Sequence, residues 1–249
     1  MVKGIETFRE KFKNYPDCYT VIGGTACDIL MSEAELDFRA TKDIDMILIL
    51  ENRHQEFATV FWEYIKEGNY RCGWKNNSDS HFYRFTEPKE GYPAQIELFS
   101  RMPGYQLSVT EGIIPIHIDE EISSLSAILL NNDYYNFMMD GRKIVDGIGV
   151  LDAEHIIPFK MSAWLDLKRR KALGEHVNER DLRKHKNDVF RLLQIVPLDV
   201  KIDSSGVVKD NIVRFVEAVQ SEELNLKQLG LPFEKEEAME WLQRIYLMK

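Results

Sequence analysis

The sequence is short of cysteine, of long apolar runs and of net positive charge, and each shortage closes off a class of protein. Cysteine occurs at three positions, Cys18, Cys27 and Cys72. None stands in a CxxC spacing and any disulfide scheme leaves one over, which points to a reducing, cytoplasmic setting rather than a disulfide-stapled secreted domain. No stretch approaches the roughly 20 apolar residues of a membrane span, so no membrane partner is expected. The opening MVKGIETFREKFKNY alternates apolar and charged residues at helical spacing and has no apolar centre of signal-peptide type. A net charge of −9 argues against coating nucleic acid by bulk attraction. Neither an internal repeat nor a low-complexity tract is present.

What remains is the composition of a globular protein, 44% hydrophobic and 29% charged over 249 residues, a length that suits two modest domains. Apolar spacing predicts a helix from Ile5 to Tyr15, a strand from Tyr19 to Ile22, and a second helix opened by Gly23-Gly24-Thr25 and running toward Leu36. Asp43 to Leu50 reads as a strand whose apolar tail is covered on both faces. His54 to Glu67 is an amphipathic helix stopped by Gly68-Asn69. His81 to Thr86 and Ala94 to Arg101 read as paired strands around the turn-rich Glu87 to Pro93. Phe61, Trp62, Tyr64, Trp74, Phe82, Tyr83 and Phe85 are most simply core.

From about Val150 the pattern turns helical, with Asp152 to Leu173, Asn178 to Val196, Asp210 to Ser221 and Glu234 to Met248 predicted as helices. The glycines in VDGIGVLD place a boundary near 145 to 150, dividing the chain into residues 1–147 and 148–249. The expected class is α+β, a mixed sheet with flanking helices followed by a helical C-terminal domain.

Chemistry concentrates at the start of the second predicted strand. In an extended strand Asp43 and Asp45 point the same way, with Cα atoms roughly 6 to 7 Å apart. Buried like charges are costly unless neutralised, by a cation or by basic side chains. Mg²⁺ prefers one or two carboxylates plus waters and substrate phosphates, which this pair can supply. The competing account has Asp43 capping the strand and Asp45 paired with Lys42 or Arg39. Gly23-Gly24-Thr25 adds a second signal, since a glycine turn opening a helix lets backbone N–H groups approach a phosphate. Glu97 shares a strand face with Gln95 and Phe99. It is either a solvent-facing edge residue or, if its strand lies beside Asp43 to Leu50, a third acid that could accept a proton in metal-assisted phosphoryl transfer.

Ile22-Gly23-Gly24, then Asp43-Ile44-Asp45, then Glu97 resembles the nucleotidyltransferase-fold superfamily, which includes DNA polymerase beta and the aminoglycoside nucleotidyltransferases. Arg39-Ala40-Thr41-Lys42-Asp43-Ile44-Asp45 is similar to the R-x-S/T-x-D-I-D form of the abortive-infection type toxin nucleotidyltransferases. Pro158 to Leu165 and Arg183 to Phe190 look like the lysine helix and later basic stretch of that group. The resemblance implies an enzyme that moves a nucleoside monophosphate from an NTP, ATP or GTP, to a macromolecular acceptor, RNA or protein. A toxin held by an antitoxin protein is one form of it. It implies Mg²⁺, or Mn²⁺ in its place, on Asp43, Asp45 and Glu97, and nucleotide binding by Gly23, Gly24, Thr25, Arg39, Lys160 and Lys186. The C-terminal domain would complete the nucleotide site.

Two other functions compete. Asp28, four residues after Gly24, resembles the lincosamide- and aminoglycoside-modifying members, which implies a small antibiotic-type acceptor. A catalytically idle nucleotide-binding module is the other. Lys160, one turn before Trp164, would run its stem along an apolar helix face, where its ammonium wants an anion; a triphosphate, Asp166 and Asp188 are all in range of the pattern. Lys168-Arg169-Arg170-Lys171 reads as a solvated face, or as a guide for tRNA or another polyanionic acceptor.

Overall fold

The computed structural model describes residues 2–49, 54–72, 83–99 and 131–248. The expected ends at Leu50, His81 and Arg101, and the aromatics Trp74 and Phe82, lie outside them. The chain is α+β and divides into two compact units, Met1–Leu130 with Arg142–Asp152, and Asn131–Gly141 with Ala153–Lys249. No helix among the described residues is long and apolar enough to cross a membrane.

The first unit is built on seven described strands: β1 (Tyr19–Ile22), β2 (Asp43–Leu48), β3 (Arg71–Cys72), β4 (Tyr83–Thr86), β5 (Gln95–Phe99), β6 (Arg142–Val145) and β7 (Ile148–Leu151). They form one mixed sheet in the order β3-β4-β5-β2-β1-β7-β6. The pairs β1–β7 and β2–β5 are parallel and the others antiparallel. Helices α1 (Ile5–Phe12), α2 (Gly23–Glu33) and α3 (His54–Glu67) accompany it.

Helix α1 buries Ile5, Phe8 and Phe12 at helical spacing. They meet the buried stripe Phe57, Phe61 and Tyr64 of α3 and Tyr19 of β1 in one aromatic cluster, with Phe8 and Phe12 4.6 Å apart between ring centroids. Each such ring contributes roughly 2–3 kcal/mol by leaving water, which anchors α1 and α3 to the sheet. Ile44, Met46, Ile47 and Leu48 of β2 are buried as well, while Asp43 and Asp45 at its start are half-buried.

The glycines read from sequence as a boundary form a hairpin instead. Asp146 and Gly147 both have positive φ, 49° and 78°, and Val145 pairs with Ile148, as in a two-residue type I′ turn. Strand β7 then runs parallel to β1 with Val21 opposite Val150. Residues 142–152 therefore belong to the first unit, and the division does not fall at a single point near 147.

The second unit contains α4 (Asn132–Asp140), α5 (Ala153–Ala172), α6 (Glu179–Leu193), α7 (Gly206–Gln220), a 3-10 turn (Lys227–Leu229) and α8 (Lys235–Tyr246). Helix α5 is its centre, with Trp164 buried edge-to-face against Phe215 at 5.1 Å. Pro158 lies inside α5 and cannot donate to the carbonyl of Glu154. The Tyr246 hydroxyl donates to that carbonyl at 2.6 Å and replaces the missing bond. Helix α6 starts at Asn178, whose side chain accepts from Arg180 N–H, and α8 opens with a capping box of Glu234 and Glu237.

Candidate functional site

One row crosses the sheet of the first unit. Arg84 on β4 is opposite Glu97 on β5, Glu97 is opposite Asp45 on β2, and Asp45 is opposite Ile22 on β1. Asp43 lies opposite Gln95 in the same ladder. Ladder partners project to the same side and residues two apart share a face, so Asp43, Asp45, Gln95 and Glu97 stand together. The condition on which the third acid depended, that its strand lie beside β2, is met.

The glycine turn follows directly from the end of that row. Gly23 has φ +69° and a Cβ there would lie 2.1 Å from Asp45 Oδ2, so both backbone conformation and close approach require glycine. A Cβ on Gly24 would meet Thr41 Oγ1 at 2.7 Å and Arg39 Nη2 at 3.4 Å, which sets both side chains beside the start of α2. The buried Thr25 hydroxyl donates to the carbonyl of Asp43, and Cys27 Sγ donates to the carbonyl of Gly23 at 3.0 Å. The turn is thereby pinned to the carboxylate strand. Helix α2 has no acidic residue in its first turn and its N-cap, Ile22, offers no side-chain cap. Its positive dipole end is left without an acidic residue of its own first turn, as suits an anion. Asp28, one turn further on, is buried.

Glu97 is 5% exposed. Its Oε1 accepts from Arg84 Nε at 2.7 Å and from Gln95 Nε2 at 2.5 Å. Burial foremost, and then the charge of Asp45, push its carboxyl up to about 8; Arg84 pulls the other way and Asp43 adds to the rise. Asp43, Asp45 and Glu97 offer oxygen donors only, a chemistry that suits a hard divalent cation, although Glu97 keeps its proton at neutral pH while the set has no metal. Among the described residues no group of three or more His, Cys, Asp or Glu side chains stands placed to hold a metal ion by itself. Mg²⁺ does not require one, because phosphate oxygens and waters fill most of its positions.

No protein-family model matches this chain, and no curated protein matches its sequence. The chemistry of the site therefore rests on its own geometry.

Each lysine of the second unit named from sequence has a carboxylate. Lys160 is buried, with Nζ 3.2 Å from Asp188 Oδ2, and Asp188 also receives Arg191 Nη1 at 3.5 Å. Asp166 goes instead to Arg169 at 2.7 Å. Lys186 and Lys168 each bind one oxygen of Glu222, at 2.5 and 2.8 Å. Burial works to raise the Glu222 carboxyl, but the two lysines outweigh it and hold it below the ordinary range. Arg170 pairs with Glu175 and Lys171 with Glu179, so all four members of the basic run have acidic partners within their own unit.

Arg84 carries no site signal in the sequence, and Thr41, though it stands in the Arg39 to Asp45 run, has no role assigned by it. Arg84 sits in a short strand whose register cannot be read from its own residues, and Thr41 lies in the irregular connection before β2.

Proposed function

We propose that this protein is a Mg²⁺-dependent nucleotidyltransferase of the nucleotidyltransferase fold, moving a nucleoside monophosphate from an NTP such as ATP or GTP to a macromolecular acceptor, RNA or protein. The observation that carries the reading is the parallel register of Asp45 with Glu97, one residue from a glycine turn so close to Asp45 that a side chain on Gly23 would collide with its carboxylate. Three acids and a helix N-terminus at one end of a sheet are what a metal-bound triphosphate needs.

In this reading Asp43 and Asp45 hold the metal, with Glu97 as third carboxylate. Bound Mg²⁺, or Mn²⁺, would neutralise the triphosphate and the departing pyrophosphate. The N–H groups at Gly23, Gly24 and Thr25 and the Arg39 guanidinium orient the phosphates. An acceptor hydroxyl forms the new bond to the α-phosphorus as the bond to the β-phosphate oxygen breaks, pyrophosphate leaves, and the hydroxyl proton passes to Glu97. A bound cation, by offsetting the charge of Asp45, would favour the ionised form of Glu97 that this transfer needs. The buried thiols Cys18 and Cys27 suit work in the cytoplasm, where an antitoxin protein would be the natural control.

A small hydroxylated acceptor is the second reading, and one observation favours it. Every member of the basic run 168–171, the segment best suited to guide RNA, has an acidic partner in Glu222 (shared with Lys186), Asp166, Glu175 or Glu179.

The test is incubation of the protein with α-labelled NTPs and Mg²⁺ against RNA, protein and metabolite pools, read by mass spectrometry. An NMP adduct in one pool supports transfer and identifies the acceptor class. No adduct in any pool sinks the enzyme and leaves a nucleotide-binding module.

A further inference from the structure

Glu97 accepts two hydrogen bonds, and both end on the same oxygen. Arg84, its cross-strand partner on β4, reaches Oε1 through Nε, and Gln95, two residues back on the same face of β5, reaches it through Nε2. Oε2 takes part in neither. A structural cross-strand ion pair needs no such convergence; a guanidinium facing a carboxylate commonly binds both oxygens side by side. Arg84 is 21% exposed at its side chain against 7% for Glu97, and Glu97 lies between it and Asp45 in the row across the sheet.

We propose that Arg84 is a positioning residue, which with Gln95 fastens Oε1 of Glu97 and presents Oε2 as the single oxygen that Glu97 offers to the metal-nucleotide site. The proposal rests on the nucleotidyltransferase reading. A glutamate with both oxygens loose has several rotamers and two modes of binding, and would have to be ordered each time a metal-nucleotide complex arrived. Pinning one oxygen removes that cost and fixes one mode. Arg84 also sets its positive charge in the row with Glu97 and Asp45, so the acids can stay close while the site is without metal. Partners that orient a metal-binding carboxylate in this way are worth roughly 10–100-fold in metal affinity or activity.

The decisive experiment is a double-mutant cycle on the full chain, read by Mn²⁺ electron paramagnetic resonance with a non-hydrolysable NTP analogue present, and by steady-state transfer where the acceptor is known. Arg84→Met should weaken Mn²⁺ binding by about 10–100-fold and lower kcat while leaving KM for the nucleotide nearly unchanged. In a Glu97→Ala background the same change should have no further effect, because its target is gone. Arg84→Lys keeps the charge without the rigid planar donor and should restore Mn²⁺ binding only in part. Should Arg84→Met fail to fold, Gln95→Leu makes the same test from the other donor, with a smaller loss expected and the same disappearance in Glu97→Ala. Mn²⁺ affinity equal to the parent's in the folded variants, or a loss that persists undiminished without Glu97, overturns the positioning role alone. A parent protein that takes up no Mn²⁺ with the analogue overturns the proposed function, and the positioning role with it.

Discussion

Asp45 and Glu97 face each other across the β2–β5 ladder, and the charge of Asp45 is the largest electrostatic reason, after burial, that Glu97 holds its proton. In the absence of metal this makes the folded protein sensitive to pH. An unfolded glutamate titrates near 4.5 and Glu97 in the fold at about 8, so between those values the folded chain binds more protons than the unfolded one. Stability should therefore fall as pH rises through that window. Melting curves of metal-free protein at pH 5 and pH 8.5 check this, with Glu97→Gln expected to flatten the difference and Mg²⁺ to recover stability at the alkaline end. A parent protein with no extra loss above that of Glu97→Gln would contradict it.

Asp43→Asn and Asp45→Asn should each abolish transfer and Mn²⁺ binding without unfolding the chain, since the shape is kept and the charge lost. Asp45→Asn carries a second signature. With its neighbour neutral, Glu97 should ionise at lower pH, which narrows the window of pH-sensitive melting. Near-normal activity in either variant would remove the acids from the chemistry.

The two glycines should respond differently. Gly23→Ala meets a positive φ and the Asp45 carboxylate at once, and should lose at least about 1–3 kcal/mol of stability by chemical denaturation. Gly24→Val has no such backbone penalty but pushes on Thr41 and Arg39. Its expected effect is weaker nucleotide binding by calorimetry, with a smaller loss of melting temperature than Gly23→Ala.

Lys160→Ala takes from the fully buried Asp188 its lysine partner at 3.2 Å. A loss of about 3 kcal/mol is expected in urea unfolding, much of it recovered when Asp188→Asn is added. Nucleotide titration of the same variant checks the binding role expected of Lys160 from the sequence, and unchanged affinity would assign the lysine to stability alone.

Tyr246→Phe removes the donor that serves the Glu154 carbonyl and should cost about 1 kcal/mol. In a Pro158→Ala background the backbone can supply its own bond, so the loss should shrink. An identical loss in both backgrounds would mean that Tyr246 is not replacing the bond that proline removes.

Much of this was legible where periodicity is strong. The helix from His54 to Glu67 and the strand from Tyr19 to Ile22 stand where apolar spacing put them, and Asp43 and Asp45 share a face because alternation in a strand leaves no choice. The hairpin at Asp146-Gly147 was written as a two-residue turn signal between apolar runs, yet reads equally as a linker, because a turn says nothing about which distant strand its arms will join. Helix α4 gave no clear pattern of its own; Tyr134 and Phe137 show their buried side only once α7 and α5 are in place to cover them. Arg84 was invisible for a similar reason. Which residue faces Glu97 is set by the register of two strands, and that is a property of the pairing.

Strand β7 lies against β1, while the helices on either side of the β6–β7 hairpin belong to the other unit. The backbone consequently passes from one unit to the other three times, near residues 130, 141 and 152. No single cleavage or gene truncation can release either half as a continuous polypeptide. A cut between 147 and 148 would sever the hairpin at its tip and take from β1 its parallel neighbour. For protein engineers the two halves are not interchangeable cassettes, and a chimera that respects them must graft the hairpin as an insertion.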